Sequence, residues 1–150
     1  MAQMRDVIWA TDARKDRFED LLLRMKEHAA EMLFPKGIFC HFDIKNVNVE
    51  KKIPIDIRQN LYLIFKEAIT NIAKHSNASR AEVSLKKEGK KFEMKVIDNG
   101  DPDEIVSDNG SSTGGIGLSN MQLRAENIDA DLKIQRNGGY CIVVRMNSFL

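Results

Sequence analysis

The chain of 150 residues is poor in features that define whole classes of protein. Its two cysteines are too few for a disulfide framework, and their apolar, strand-like surroundings predict buried, reduced thiols in a cytosolic domain. No apolar run reaches the roughly 18 residues that indicate a membrane-spanning helix, and no signal peptide or repeat is evident. The 23 basic and 22 acidic residues leave a net charge of +1, which gives no electrostatic case for binding nucleic acid. These absences favour one soluble globular domain.

A helix is predicted from Asp56 to Ser76, with Asp56 as its N-cap. Its apolar residues recur every three or four positions and form one stripe: Ile57, Leu61, Ile64, Ala68 and Ile72. A second stripe carries Glu67, Asn71, Lys74 and His75. Asparagine is a poor mid-helix residue, and its amide oxygen is a hard ligand that suits Mg²⁺. The alternative is a solvated polar face with no ligand.

A strand is predicted over Lys91 to Ile97, and it ends at the turn signal Asp98-Asn99-Gly100. A carboxylate at a strand end that faces a pocket can accept a hydrogen bond from an exocyclic amine, such as that of adenine. The alternative is that Asp98 only forms the turn.

A glycine-rich loop, residues 110–115, precedes a helix that is predicted to open at Gly117 and to run to about Asp129. Glycines let a backbone approach phosphates, and free N–H groups at a helix start favour anions. The loop matches neither GxxxxGK[ST] nor the GxGxxG dinucleotide fingerprint, so it could also be an ordinary flexible connection. In this order, the three segments are a combination that can hold Mg-ATP.

Together these segments resemble the catalytic, ATP-binding domain of sensor histidine kinases of bacterial two-component systems, in the superfamily that includes gyrase, Hsp90 and MutL. Phe65 to Ala78 is similar to the N box of the subfamily paired with LuxR-type response regulators. Asp98-Asn99-Gly100 matches the start of the G1 box, and Gly115 to Met121 followed by Arg124-Ala125-Glu126 matches the G2 region. The resemblance extends roughly from Ile38 to the C-terminus.

The resemblance implies roles for single residues. Asn71 would bind Mg²⁺, Glu67 would position or activate the attacking group, and Asp98 would hydrogen-bond adenine. The remaining residues implied to contact the nucleotide are Lys74, His75, Gly100, Gly115, Gly117 and Leu118. The cofactors would be ATP and Mg²⁺.

Three departures from the family pattern lie near the glycine-rich loop. Pro102 replaces a second G1 glycine, Asn120 replaces a G2 glycine, and residues 101–113 contain no clear F box. We call residues 101–113 the lid. The lid has few apolar residues, so we expect it to be mobile without nucleotide and ordered with ATP.

Residues 1–15 resemble the end of a dimerisation helix and its linker, which leaves residues 16–150 as the ATP-binding domain. A histidine kinase also needs a phosphoacceptor histidine, and His28, His41 and His75 all lack its context. His28 is expected to be a solvated helix residue and His41 a strand-surface residue. The acceptor would therefore lie on a dimerisation domain outside this chain, with a LuxR-type response regulator as an indirect partner and neither nucleic acid nor membrane contacted directly.

Two other functions stay open: a stand-alone serine kinase of the anti-sigma-factor type, and a nucleotide-binding module without transfer activity. The predicted fold is an α+β two-layer sandwich, in which helices cover one face of a mixed sheet. Helices are predicted over residues 16–34, 56–76 and 117–129, and strands over 38–44, 80–87, 91–97, 131–135 and 141–146.

Overall fold

A computed structural model describes residues 14–100, 111–135 and 139–147, and for residues 111–118 the description is confined to the backbone. The described helices are α1 (Phe18–Leu33), α2 (Ile55–His75) and α3 (Ser111–Asn127). The strands are β1 (Phe39–Lys45), β2 (Arg80–Glu88), β3 (Lys91–Asp98), β4 (Asp131–Gln135) and β5 (Cys141–Asn147). No helix in these described ranges is long and apolar enough to cross a membrane.

The five strands form one mixed sheet in the order β1-β2-β3-β5-β4. β1 and β2 are parallel and are connected through α2, whereas all other neighbouring pairs are antiparallel. β2 and β3 form a hairpin whose turn contains Gly89 at a φ of +60°. The hairpin joins the two strands predicted over residues 80–87 and 91–97, and the sheet confirms the predicted α+β architecture.

One face of the sheet is packed against the helices. In β3 the side chains of Phe92, Met94 and Val96 are fully buried, while the alternate positions are more open to solvent. α2 lies on this face and buries Leu61, Ile64 and other residues of its apolar stripe. The apolar stripe of α2, with its 3.6-residue period, and the buried face of β3, with its two-residue period, therefore pack into a single core, as the sequence predicts.

The segment before α1 is held against the rest of the domain. The buried guanidinium of Arg58 in α2 donates a hydrogen bond to the Lys15 carbonyl, and Ile53 N donates to the Asp16 carbonyl at 2.7 Å. Arg17 Nη1 donates to the Glu50 carbonyl at 3.0 Å. Residues 15–17 therefore belong to the same packed body as α2.

Two predictions about helix residues are wrong. Asp56 is not the N-cap, because α2 begins at Ile55 after Pro54, whose fixed φ is compatible with a helix start. Asp56 lies in the first turn, where a carboxylate is favoured by the helix dipole. His28 is 7% exposed rather than solvated, because its ring lies on the buried face of α1 and packs edge-on against the rings of Tyr62 and Phe65. His41 is exposed on β1, as predicted.

The two thiols are free and only half-buried, whereas the sequence predicts burial. Cys40 lies on β1, which is an edge strand of the described sheet and has a described neighbour, β2, on one side only. Burial still raises the pKa of the Cys40 thiol to about 11 and, as the largest effect, raises the pKa of the Cys141 thiol. Both thiols are therefore protonated at neutral pH and are poor nucleophiles.

α3 begins at Ser111, six residues before the predicted opening at Gly117. Residues 111–113, predicted as the end of the lid, are helical. Serine and threonine are common at helix starts, and glycine costs a helix only about 1 kcal/mol per residue relative to alanine, so Gly114, Gly115 and Gly117 do not prevent the longer helix. Residues 101–110 of the lid lie outside the described residues.

Candidate active site

Three elements meet at one end of the sheet: the C-terminal half of α2, the end of β3 and the start of β5. β3 and β5 are antiparallel neighbours, so Asp98 at the end of β3 lies beside Tyr140, which directly precedes β5. Asp98 N donates to the Tyr140 carbonyl at 3.0 Å. We call this meeting point the α2–β3–β5 junction, and it contains Asn71, Ser76, Asp98, Gly100, Gly139 and Tyr140.

Asp98 is a buried carboxylate, 4% exposed, that is held by three donors. Its Oδ1 accepts from Ser76 Oγ at 3.2 Å and from Gly100 N at 2.7 Å. Its Oδ2 accepts from Tyr140 N at 3.3 Å. An ionised carboxylate has about four acceptor positions, so these bonds fix its orientation and leave capacity on Oδ2.

Two glycines allow the backbone to approach this carboxylate closely. A Cβ on Gly100 would lie 2.6 Å from Ser76 Oγ and 2.9 Å from Asp98 Oδ1. A Cβ on Gly139 would lie 2.1 Å from the Asp98 carbonyl oxygen, and Gly139 has a φ of +123° that L-residues rarely adopt. A side chain at Gly139 would therefore clash with backbone, and one at Gly100 would displace the side chains that surround Asp98.

Asn99 joins the ends of β2 and β3. Its Oδ1 accepts from Ser79 N at 3.0 Å and from Arg80 N at 2.9 Å, and its Nδ2 donates to Ser79 Oγ at 3.0 Å. Asn99 thus has a structural role, because its hydrogen bonds fix the backbone next to Asp98.

Asn71 projects from α2 toward the same junction. Its Nδ2 donates to the Tyr140 hydroxyl at 3.4 Å, and this contact leaves the amide oxygen available for another partner. Glu67 lies one turn earlier on the same face, half-buried, and its carboxylate makes no hydrogen bond or ion pair with any residue in the described ranges. An amide oxygen and a carboxylate are the oxygen ligands that suit Mg²⁺.

Lys74 and His75 are exposed at the C-terminal end of α2. Cations at a helix C-terminus are favoured by the helix dipole, so their presence has a structural explanation as well as the predicted contact with phosphates. Gly115, Gly117 and Leu118 lie in α3, and their side-chain environment lies outside what the structure describes.

Sequence reasoning missed Ser76, Gly139 and Tyr140. Ser76 follows the end of α2, and its hydroxyl also accepts from Ala78 N at 2.9 Å. Gly139 is marked in the sequence only by its place beside Gly138, directly before an apolar strand pattern, where it reads as an ordinary turn. Tyr140 carries no local signal, because only the pairing of β3 with β5 brings it to Asp98.

The profile of the Histidine kinase-, DNA gyrase B-, and HSP90-like ATPase family matches residues 56–148. This span is more than half of the chain and includes α2 from Asp56 onward, β3 and β5. The chain belongs to this family, which makes it a nucleotide-using ATPase-type domain.

The curated relatives are sensor histidine kinases. The signal transduction histidine-protein kinase/phosphatase DegS of Brevibacillus brevis is 26% identical over 148 residues, which cover 96% of this chain and 36% of DegS. The sensor histidine kinase DesK of Bacillus subtilis (strain 168) is 31% identical over 121 residues, which cover 78% of this chain and 31% of DesK. The chain thus spans about a third of the length of these relatives.

Solved histidine kinases share the fold. The Acinetobacter baumannii histidine kinase AdeS superposes with a TM-score of 0.68 at 12% identity, covering 90% of this chain and 66% of that one. The catalytic domain of histidine kinase ThkA gives a TM-score of 0.65 at 12% identity, covering 87% of this chain and 93% of that one. The solved structures show the shared fold. The family match and the curated relatives show that the domain is of the kind that forms the catalytic part of sensor histidine kinases, and they favour that identity over an anti-sigma-type serine kinase.

Proposed function

We propose that the α2–β3–β5 junction binds Mg-ATP, and that the domain transfers the γ-phosphoryl group to a histidine on a dimerisation domain outside this chain. The observation that carries the proposal is the position of Tyr140, which contacts both the amide of Asn71 and the carboxylate of Asp98. Tyr140 thus links Asn71, the proposed ligand of Mg²⁺, to Asp98, the proposed contact of the adenine base.

Asp98 provides the adenine contact in this proposal. Three of its roughly four acceptor positions are occupied by protein donors, and the remaining capacity on Oδ2 accepts the adenine 6-amino group. Guanine presents an oxygen at the corresponding position, which would face the carboxylate without a proton between them. The site therefore selects adenine.

Asn71 and Glu67 provide the phosphate end. The Asn71 amide oxygen would hold Mg²⁺, which would supply neutralisation of charge on the phosphate oxygens when bound. Glu67 accepts the N–H proton of the incoming imidazole while the P–N bond forms and the bond to the ADP leaving group breaks. Lys74, His75, Gly100, Gly115, Gly117 and Leu118 complete the nucleotide site, which operates in the cytoplasm, where ATP is available.

Replacing Asn71 with alanine should reduce Mg-ATP affinity about tenfold or more, the effect of losing one contact to a charged group. Affinity for ATP measured in EDTA should change little, because the lost contact involves the metal. Isothermal titration with and without Mg²⁺ measures both quantities.

Asn60→Ala is the matched control, because Asn60 lies in the same helix but donates from Nδ2 to the Asp56 carbonyl at 2.7 Å. This variant should lower stability without changing the effect of Mg²⁺ on affinity. A folded Asn71→Ala variant that binds Mg-ATP as the parent does would rule out the metal assignment.

Incubation with labelled ATP tests the transfer step. The chain alone should acquire no phosphate, since phosphoryl transfer needs a positioned nucleophile. Adding a dimerisation and phosphoacceptor domain in trans should yield acid-labile phosphate on the added domain, which a LuxR-type response regulator could then receive. Stable phosphate on the chain alone would contradict the proposal, phosphoserine on a small protein partner would favour the serine-kinase alternative, and ATP binding without transfer to any acceptor would favour the nucleotide-binding module.

A further inference from the structure

We infer that Tyr140 is a positioning residue for the metal ligand: its hydroxyl fixes the side-chain amide of Asn71 with the oxygen directed to Mg²⁺. This inference rests on the proposed function and extends it to a residue that the sequence did not single out. It starts from the 3.4 Å contact in which Asn71 Nδ2 donates to the Tyr140 hydroxyl.

An asparagine amide has two chemically different ends and can rotate between them. Only the oxygen can bind a cation, because the NH₂ group has no free lone pair to offer. An acceptor placed against the nitrogen therefore favours the one orientation in which the oxygen is free for the metal. A hydroxyl can donate as well as accept, and in this structure the Tyr140 hydroxyl accepts from Asn71 Nδ2 at 3.4 Å, the arrangement that leaves the amide oxygen free.

The tyrosine is itself held firmly. Tyr140 is 8% exposed, its backbone N–H donates to Asp98 Oδ2, and its carbonyl accepts from Asp98 N. The preceding residue must be glycine, because a Cβ at position 139 would lie 2.1 Å from the Asp98 carbonyl oxygen. The position of the hydroxyl is thus set by the same backbone contacts that orient Asp98. Tyr140 therefore links the proposed metal ligand, Asn71, to the proposed adenine contact, Asp98.

The length of the side chain matters as well. Tyr140 directly precedes β5, in the sheet layer, whereas Asn71 lies on a helix packed over that layer. Phenylalanine at position 140 would fill the same space but would leave the Asn71 amide nitrogen without this acceptor. The Tyr140→Phe variant therefore separates orientation of the amide from packing of the ring.

The test compares ATP affinity with Mg²⁺ and in EDTA for the parent, Tyr140→Phe, Asn71→Ala and the double variant. Tyr140→Phe should reduce the Mg²⁺-dependent gain in affinity about three- to tenfold, which is the range set by one neutral hydrogen bond, and leave affinity in EDTA unchanged. In the Asn71→Ala background, Tyr140→Phe should have no effect on that gain, because the amide it orients is gone.

Tyr62→Phe is the matched control, since Tyr62 lies on the α1-facing side of α2, near Arg24 and His28. It should leave the Mg²⁺-dependent gain unchanged. The Asn71 side-chain NH₂ resonances in an NMR spectrum provide a second readout. They should shift in Tyr140→Phe and stay in place in Tyr62→Phe.

The outcomes separate the two levels of the account. If the ATP affinity of the parent protein is the same in Mg²⁺ and in EDTA, the proposed function is overturned. If the parent and Asn71→Ala behave as proposed but Tyr140→Phe keeps the full gain, or still reduces it in the Asn71→Ala background, only the role of Tyr140 is overturned.

Discussion

Gly139→Ala is expected to have the largest effect of any single substitution at the candidate site. The new Cβ would lie 2.1 Å from the Asp98 carbonyl oxygen, so the backbone of β3 or of residues 139–140 must shift. Combined with the positive φ of this residue, we expect the free energy of unfolding to fall by about 3 kcal/mol. The shift also moves Tyr140 N away from Asp98 Oδ2, so ATP affinity should fall by more than about tenfold in the folded fraction. Urea unfolding followed by nucleotide titration at low temperature measures both effects.

Gly89→Ala separates the steric contribution from the backbone contribution. Gly89 has a φ of +60°, but nothing lies within 4 Å of the position its Cβ would occupy. Alanine there should cost only about 1 kcal/mol of stability and leave ATP affinity unchanged. Equal losses in the two variants would show that the close approach of Gly139 to Asp98 does not matter.

Asp98→Asn should have the second largest effect. The substitution preserves shape but places an NH₂ group where either the Gly100 and Ser76 donors or the Tyr140 N–H donor now point. Two donors would then face each other in a buried position, which we expect to cost about 1–3 kcal/mol of stability. ATP affinity should fall at least about tenfold. When the amide oxygen accepts from Gly100 and Ser76, the amide NH₂ faces the adenine 6-amino group, so two donors oppose each other.

Asp131→Asn is the control for this substitution, since Asp131 is exposed at the start of β4. Thermal unfolding and ATP titration of the two variants should differ clearly, with the control close to the parent in both. An Asp98→Asn variant that retains both stability and ATP affinity would remove Asp98 from the site.

Much of the fold could be predicted because it depends on local periodicity. The apolar stripe of α2 and the alternation of Phe92, Met94 and Val96 each specify one element and one buried face, and the structure confirms both. The prediction that His28 is solvated was wrong because it relied on the polar character of histidine rather than on its place in the helix. It lies three residues after Met25, on the buried face of α1, so the period alone predicts its burial.

The parts of the site that escaped prediction depend on contacts between distant segments. Tyr140 comes to Asn71 and Asp98 only through the β3–β5 pairing, which no local pattern specifies. The need for glycine at position 139 likewise follows from the position of the Asp98 carbonyl, 41 residues earlier in the chain. The start of α3 was misplaced for a different reason, because several glycines in succession favour a loop on propensity alone.

The most direct test of the Mg-ATP site at the α2–β3–β5 junction is a calorimetric titration of the parent domain with ATP and with GTP, each in Mg²⁺ and in EDTA. We expect binding of ATP that is tighter in Mg²⁺, and binding of GTP that is at least about tenfold weaker, since a buried carboxylate facing the guanine oxygen is left unsatisfied. Equal affinities for ATP and GTP, or an ATP affinity that does not respond to Mg²⁺, would contradict the account.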